Sequence, residues 1–125
     1  MIEFVVPGRP VPKERPRTSL AGRKMRIYTP RATSQYEKLV GYAALEAAKG
    51  HSFFEEIAIS IKLFFKDKRY GDLDNYTKSI LDGLQGVIFE NDKQVCELTV
   101  KRYHDKEERA EVKVWGVEEV GKGAS

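Results

Sequence analysis

Apolar and polar positions alternate along parts of this chain with a period of two, and elsewhere recur at helical spacing, which is enough to lay out its elements. Ile2, Phe4 and Val6 alternate with Glu3 and Val5 until Pro7 and Gly8 end the run, so a first strand is expected there. From Glu56 to Phe65 the alternation is cleaner, with Ile57, Ile59, Ile61, Leu63 and Phe65 on one side and Ala58, Ser60 and Lys62 on the other. That is the pattern of a half-buried strand. Val95 to Tyr103 and Ala110 to Val117 alternate in the same way around the charged turn from His104 to Arg109, and predict an antiparallel hairpin.

Two segments carry the helical period instead. Tyr36, Leu39, Val40, Ala43, Ala44 and Ala47 share one stripe. Ser34 and Glu37 are spaced as a capping box for a helix starting at Ser34, and Gly50 stands where a left-handed terminator belongs. From Asp74 onward Tyr76, Ile80, Leu81 and Leu84 share a face, with Gly83 and Gly86 marking the end. Between the first strand and the first helix, Pro7, Pro10, Pro12 and Pro16 together with Gly8 and Gly22 forbid regular structure, apart from a small ribbon near Met25 to Tyr28. The order β, loop, α, β, α, β, β predicts an α+β (mixed α/β) fold: one domain over residues 1–125, with a mixed sheet of about four strands covered by two helices and a frayed tail over residues 118–125. No internal repeat or low-complexity tract interrupts it.

Composition narrows the class. At 125 residues with 41% hydrophobic content, the chain is long enough for one core and holds no apolar run approaching the roughly 18 residues that would span a membrane. Ile2 to Val6 is too short for a signal-peptide core, so a cytoplasmic protein is expected. One cysteine, Cys96, and two distant histidines, His51 and His104, exclude a disulfide scaffold and a thiolate zinc module. All three read as structural, with Cys96 on the apolar face of its strand beside Leu98 and Val100.

Charge changes the picture more than composition does. The net charge is only +3, yet residues 7–31 carry Arg9, Lys13, Arg15, Arg17, Arg23, Lys24, Arg26 and Arg31 against the single acid Glu14, a local balance of +7. A basic segment on a mildly acidic body suits a polyanion, because lysine and arginine that neutralise phosphates release condensed counterions. A solvated loop would show the same composition.

The candidate chemistry lies in Gly71-Asp72-Leu73-Asp74-Asn75-Tyr76-Thr77-Lys78, at a junction between strand and helix. Asp72 and Asp74 point the same way if the backbone is extended, so both could approach one hard cation, and magnesium is suited to a few carboxylates, waters and substrate phosphates. Asp74 is equally an ordinary helix cap. Lys78 either forms an ion pair with Asp74 or stabilises charge on a phosphate, and Asp82 continues the spacing and could hold it in place. Asp92 is either a turn residue or a third carboxylate, brought beside the other two by pairing of the neighbouring strands to hold one or two magnesium ions. No glycine-rich phosphate loop, nucleophile elbow or histidine triad is present.

Asp72-Leu73-Asp74-Asn75 with Lys78, the later Asn91-Asp92-Lys93-Gln94-Val95, and the opening Pro7-Gly8-Arg9-Pro10-Val11-Pro12-Lys13-Glu14-Arg15-Pro16-Arg17 together resemble the RusA-type Holliday junction resolvases, in particular their phage-like branch. The resemblance runs from Phe4 to about Trp115. It implies a homodimeric, magnesium-dependent endonuclease of DNA recombination and repair, of a kind common in prophages, which cuts four-way DNA junctions by paired symmetric nicks; manganese is a possible substitute. It also implies that Asp72, Asp74 and Asp92 are the metal-binding acids and Lys78 the catalytic lysine. Arg9, Lys13, Arg15, Arg17, Arg23, Lys24 and Arg26 are then expected to bind DNA. One position departs from the best-known members, which carry a second aspartate where Asn91 stands. The alternative reading is a module that binds branched or single-stranded nucleic acid without cutting it.

Overall fold

The computed structural model describes residues 1–14, 17–21, 24–28 and 30–117, with the backbone alone for 17–21 and 24–28. Its elements are strand β1 (Ile2–Pro7), the ribbon β2 (Arg17–Ala21) and β3 (Lys24–Tyr28), helix α1 (Arg31–Ala48), strand β4 (Ile57–Phe65), helix α2 (Leu73–Leu84), a 3-10 turn (Asp92–Gln94), and strands β5 (Val95–His104) and β6 (Arg109–Gly116). The expected tail over residues 118–125 lies outside the described residues.

Four strands form a mixed sheet in the order β1-β6-β4-β5, and β2 pairs with β3 separately. Strand β4 takes the interior position because both of its faces can be covered: Ile57, Ile59, Ile61, Leu63 and Phe65 are all fully buried under the helices, and Ala58 is buried on the opposite face. It pairs antiparallel with β6 (Ile61↔Val112) and parallel with β5 (Ile61↔Val100). The expected hairpin of β5 and β6 is therefore corrected: the two strands run antiparallel, but β4 lies between them, and the turn after His104 crosses over the end of β4, where the Asp105 amide donates to the Phe65 carbonyl at 3.0 Å. Four charged residues, Asp105 to Glu108, make the connection that crosses there.

The helices cover one face of the sheet. Helix α1 starts at Arg31, three residues earlier than the capping box predicts: Pro30, with φ −52°, precedes it without any side-chain cap, and Glu37 turns to Lys13 instead of back to the helix end. Its C-terminus is left-handed at Lys49, with Gly50 following at φ +86°. Gly83 does not end α2 but lies inside it, where α1 and α2 touch. No helix among the described residues is long and apolar enough to cross a membrane.

Residues 8–14 form a strap laid over both helices. The Lys13 amide donates to the Asn75 carbonyl (2.8 Å), Ser79 Oγ donates to the Val11 carbonyl (2.6 Å), and Thr33 Oγ1 donates to the Pro12 carbonyl (3.0 Å). Prolines suit this path, since backbone without its own N–H donor leaves only carbonyls for neighbouring side chains to satisfy.

Candidate active site

Helix α2 begins where the turn after β4 closes. Asp72 is its N-cap residue in extended conformation, yet its side chain makes no cap hydrogen bond. Asp74 falls in the first turn, with Oδ1 accepting from the Asn75 amide at 3.1 Å. The Asp72 carboxylate is thus not spent as a cap, while Asp74 uses Oδ1 on the N3 amide of Asn75 and lies at the positive end of the helix, where a negative charge is stabilised. Lys78 follows one turn later on the exposed side.

Asp92 opens the 3-10 turn that leads into β5. Asn91 caps that turn, its Oδ1 accepting from the Lys93 amide at 2.9 Å, while Gln94 Oε1 accepts from the amides of Glu90 and Asn91. Gln94 Nε2 donates to the carbonyls of Phe53 (2.9 Å) and Glu55 (3.0 Å) and so pins the turn to the segment before β4. Asn91 therefore has a capping task of its own, and the Asp92 carboxylate is left out of the capping network. Glu90, like Asp92, is exposed.

Asp74, Lys78 and Asp92 line one cleft of about 390 Å³ between α2 and β5. Its apolar lining comes from Leu73, Leu81, Leu98 and Val100, and Thr77 and Asp82 complete it. An apolar wall lowers the local dielectric and strengthens whatever charge interactions form beside it.

Asp72 is not among the lining residues, and among the described residues no three of histidine, cysteine, aspartate and glutamate lie close enough to hold one metal ion. Asp74 and Asp92 thus share the lining of the cleft, while Asp72 stands outside it at the head of α2. Strands β4 and β5 are parallel, so Val95 starts opposite Ile57 while α2 begins only beyond the far end of β4. Asp72 and Asp74 both stand at that far end, and of the two it is Asp74 that lines, with Asp92, the cleft along the flank of the helix.

Two of the basic residues, Arg9 and Lys13, have described side chains in ion pairs. Arg9 donates to Glu108 Oε2 (2.6 Å), to Asp67 Oδ1 (3.2 Å) and to the Arg69 carbonyl, and lies over the Phe65 ring. Lys13 Nζ lies 2.7 Å from Glu37 Oε1 and 3.1 Å from Asp82 Oδ2. Partial burial pulls the Lys13 pKa down, but the hydrogen bonds and charges of its two acids outweigh that and raise it. Asp82 therefore holds Lys13, not Lys78 as its spacing suggests. Arg9 and Lys13 brace the fold. The side chains of Arg15, Arg17, Arg23, Lys24 and Arg26 lie outside the described residues; the backbone register of the ribbon pairs Arg17 with Tyr28 and Arg26 with Ser19.

The remaining candidates are structural in part. His104 Nε2 lies 2.8 Å from the Lys66 carbonyl, and His51 packs edge-on to Phe53. Cys96 is exposed, contrary to its expected place on an apolar face: the register shifts between Ile57↔Val95 and Ala58↔Glu97, so Cys96 is the extra residue of a bulge. Gln94 and the apolar pair Leu98 and Val100 are site residues that sequence reasoning does not single out. A glutamine three residues after Asn91 is the available signal for the cap.

The family follows from comparison with known proteins. The family model described as "Endodeoxyribonuclease RusA" matches residues 7–115. The chain belongs to the RusA endodeoxyribonuclease family. A "Crossover junction endodeoxyribonuclease RusA" of Aquifex aeolicus (strain VF5) is 30% identical over 116 residues, covering 90% of each chain. An "Uncharacterized protein YqaN" of Bacillus subtilis (strain 168) is 24% identical over 134 residues, covering 90% of this chain and 94% of its own. As a RusA family member the chain is an endodeoxyribonuclease.

Proposed function

We propose that this RusA family member is a magnesium-dependent resolvase that cuts four-way DNA junctions by paired, symmetry-related nicks. The observation that carries this reading is that Asp74, Lys78 and Asp92 line one apolar-walled cleft. Two carboxylates fit a magnesium ion that also takes waters and substrate phosphate oxygens, and manganese suits the same oxygen donors. When bound, such an ion supplies an activated water and neutralises the phosphate. Asp74 and Asp92 would hold it. Lys78, on the next turn of α2, faces the phosphoryl oxygens and stabilises their charge as it grows. Asp72 enters as a third metal-binding acid through the family resemblance, from its place at the head of α2. A two-fold pair of chains supplies two such sites, as two symmetric nicks require.

The test is cleavage of a labelled four-way junction beside a linear duplex of the same sequence, with and without magnesium or manganese. The expected result is paired nicks in the junction alone, only with metal, lost in Asp74→Asn and Asp92→Asn and reduced roughly 10²–10³-fold in Lys78→Met. Tight junction binding without cutting under either metal would overturn the reading in favour of a binding module, and an Asp72→Asn variant that cuts normally would remove Asp72 from the site.

A further inference from the structure

Helices α1 and α2 enclose a second groove, of about 420 Å³, between Gly41, Tyr42 and Leu45 on one side and Gly83 and Val87 on the other. Its floor is backbone, because the helices touch through the two glycines: a Cβ on Gly41 would stand 3.1 Å from the Gly83 carbonyl and 3.5 Å from Val87 Cγ2. A floor without side chains suits a flat ring. Leu45 and Val87 add apolar surface, and Tyr42 is 68% exposed, so its ring contributes little to the core. A lone exposed aromatic is ordinary, but one set beside an apolar groove gives a planar ligand a face to stack on.

The groove adjoins the candidate active site. Asp82 lines both this groove and the cleft of Asp74, Lys78 and Asp92, and it follows Lys78 by one helical turn, a rise of roughly 5–6 Å. A base one or two nucleotides from a phosphate held at Lys78 therefore reaches the groove. Its charge suits a nucleotide too. Glu37 and Asp82 face it, but Lys13 Nζ holds both, at 2.7 and 3.1 Å. Lys38 is exposed at the groove, so two acids are matched by two lysines and a phosphate has a cation to approach. Ser34 and the Asp82 carboxylate supply polar atoms for the edge of a base.

We propose that this groove takes one unstacked base of the strand being cut, with its ring on Tyr42 and its phosphate at Lys38. Strands that change partners at a branch leave the continuous base stack, and a base already free of its neighbours costs least to seat. A linear duplex offers no such base. Tyr42 is then a specificity-determining residue, which favours branched over linear DNA without touching the bond that is cut. The inference rests on the functional reading above, which supplies the branched substrate.

Binding and photocross-linking without divalent metal test it apart from cutting. 5-Iododeoxyuridine, placed in turn at each position around the crossing of a synthetic four-way junction, should cross-link to Tyr42 from one position, identified by mass spectrometry of the modified peptide. Tyr42→Ala should weaken junction binding about tenfold and linear-duplex binding less than about twofold, and Tyr42→Phe should restore it. An abasic site at the cross-linking position should weaken wild-type binding by the same factor and Tyr42→Ala binding no further. No cross-link to Tyr42, a Tyr42→Ala chain that binds the junction as tightly as the wild type, or one that weakens on junction and duplex alike would each overturn the proposal. So would a Tyr42→Ala chain that sediments as a smaller species than the wild type, which would assign the ring to a contact between two chains. Nicking by the wild type is scored in the assay above, so the nuclease reading stands or falls apart from these outcomes.

Discussion

Gly83 of α2 lies under the carbonyl of Glu37 in α1, so closely that a Cβ at position 83 would meet that oxygen at 2.7 Å and the Val40 Cβ at 2.9 Å. Both obstacles sit on or next to the backbone of α1, so neither can rotate away. Gly83→Ala should therefore destabilise the protein by about 1–3 kcal/mol despite the better helix propensity of alanine, and lower Tm by roughly 5–15 °C in a thermal melt. Gly41, whose Cβ would lie 3.1 Å from the Gly83 carbonyl, should tolerate alanine better.

Lys13 joins three parts of the chain by facing Glu37 of α1 and Asp82 of α2 from the strap. Lys13→Met should cost about 1–2 kcal/mol in urea denaturation at pH 7, because two partly buried carboxylates would lose their shared cation. Its pKa is raised above the ordinary 10.5 in the fold, so its contribution is complete below that pH and is lost as pH rises through the raised value. The stability gap between wild type and Lys13→Met should therefore be constant from neutral pH to about 10 and narrow at higher pH.

The hydroxyl of Tyr36 is buried without a hydrogen-bond partner among the described residues, and burial pushes its phenol well above the usual tyrosine range. Leaving a buried donor unmet costs about 1–3 kcal/mol. Tyr36→Phe keeps the ring and removes the unmet group, so it should raise Tm or leave it unchanged; a fall of more than about 1 kcal/mol in stability would reveal a partner for the hydroxyl.

For DNA, the ion pairs of Arg9 and Lys13 hold these two guanidinium and ammonium groups against acids of the fold. Replacing Arg17, Lys24 and Arg26 together by glutamine should reduce the slope of log affinity against log salt by about 2–3, near 0.9 for each phosphate no longer neutralised. Arg9→Gln should leave that slope within error and show its effect in thermal stability. Junction affinity measured over a series of potassium chloride concentrations checks both.

Much of this architecture is legible in the residues. The alternation of Ile57, Ile59, Ile61, Leu63 and Phe65 locates β4, and the spacing of Tyr76, Ile80 and Leu84 locates α2, since burial of a face writes its period into the sequence. What the residues do not show is relations between distant segments. The period of β5 and β6 says that each is a strand but not that β4 separates them. Glu37 has the spacing of a capping residue and serves Lys13 instead, from 24 positions away. Gly83 reads locally as a helix terminator, and only the approach of α1 explains a glycine inside α2. At the site, Asp74 and Lys78 are placed by their spacing on one helix, whereas the place of Asp92 in the same cleft follows from β5 lying parallel beside β4, which no local pattern encodes.

Because β6 is wedged between β1 and β4, pairing Ile2 with Val114 and Ile59 with the same residue, the first strand has no strand to join until nearly the whole chain exists. During synthesis, β1 must wait on the ribosome while α1, β4 and α2 emerge, with the edges of its backbone unpaired. Closure is then a single late event in which the last strand completes the sheet on both of its sides. Premature termination before Arg109 would leave β1 unpaired beside a two-stranded β4–β5 piece, not a smaller version of the fold.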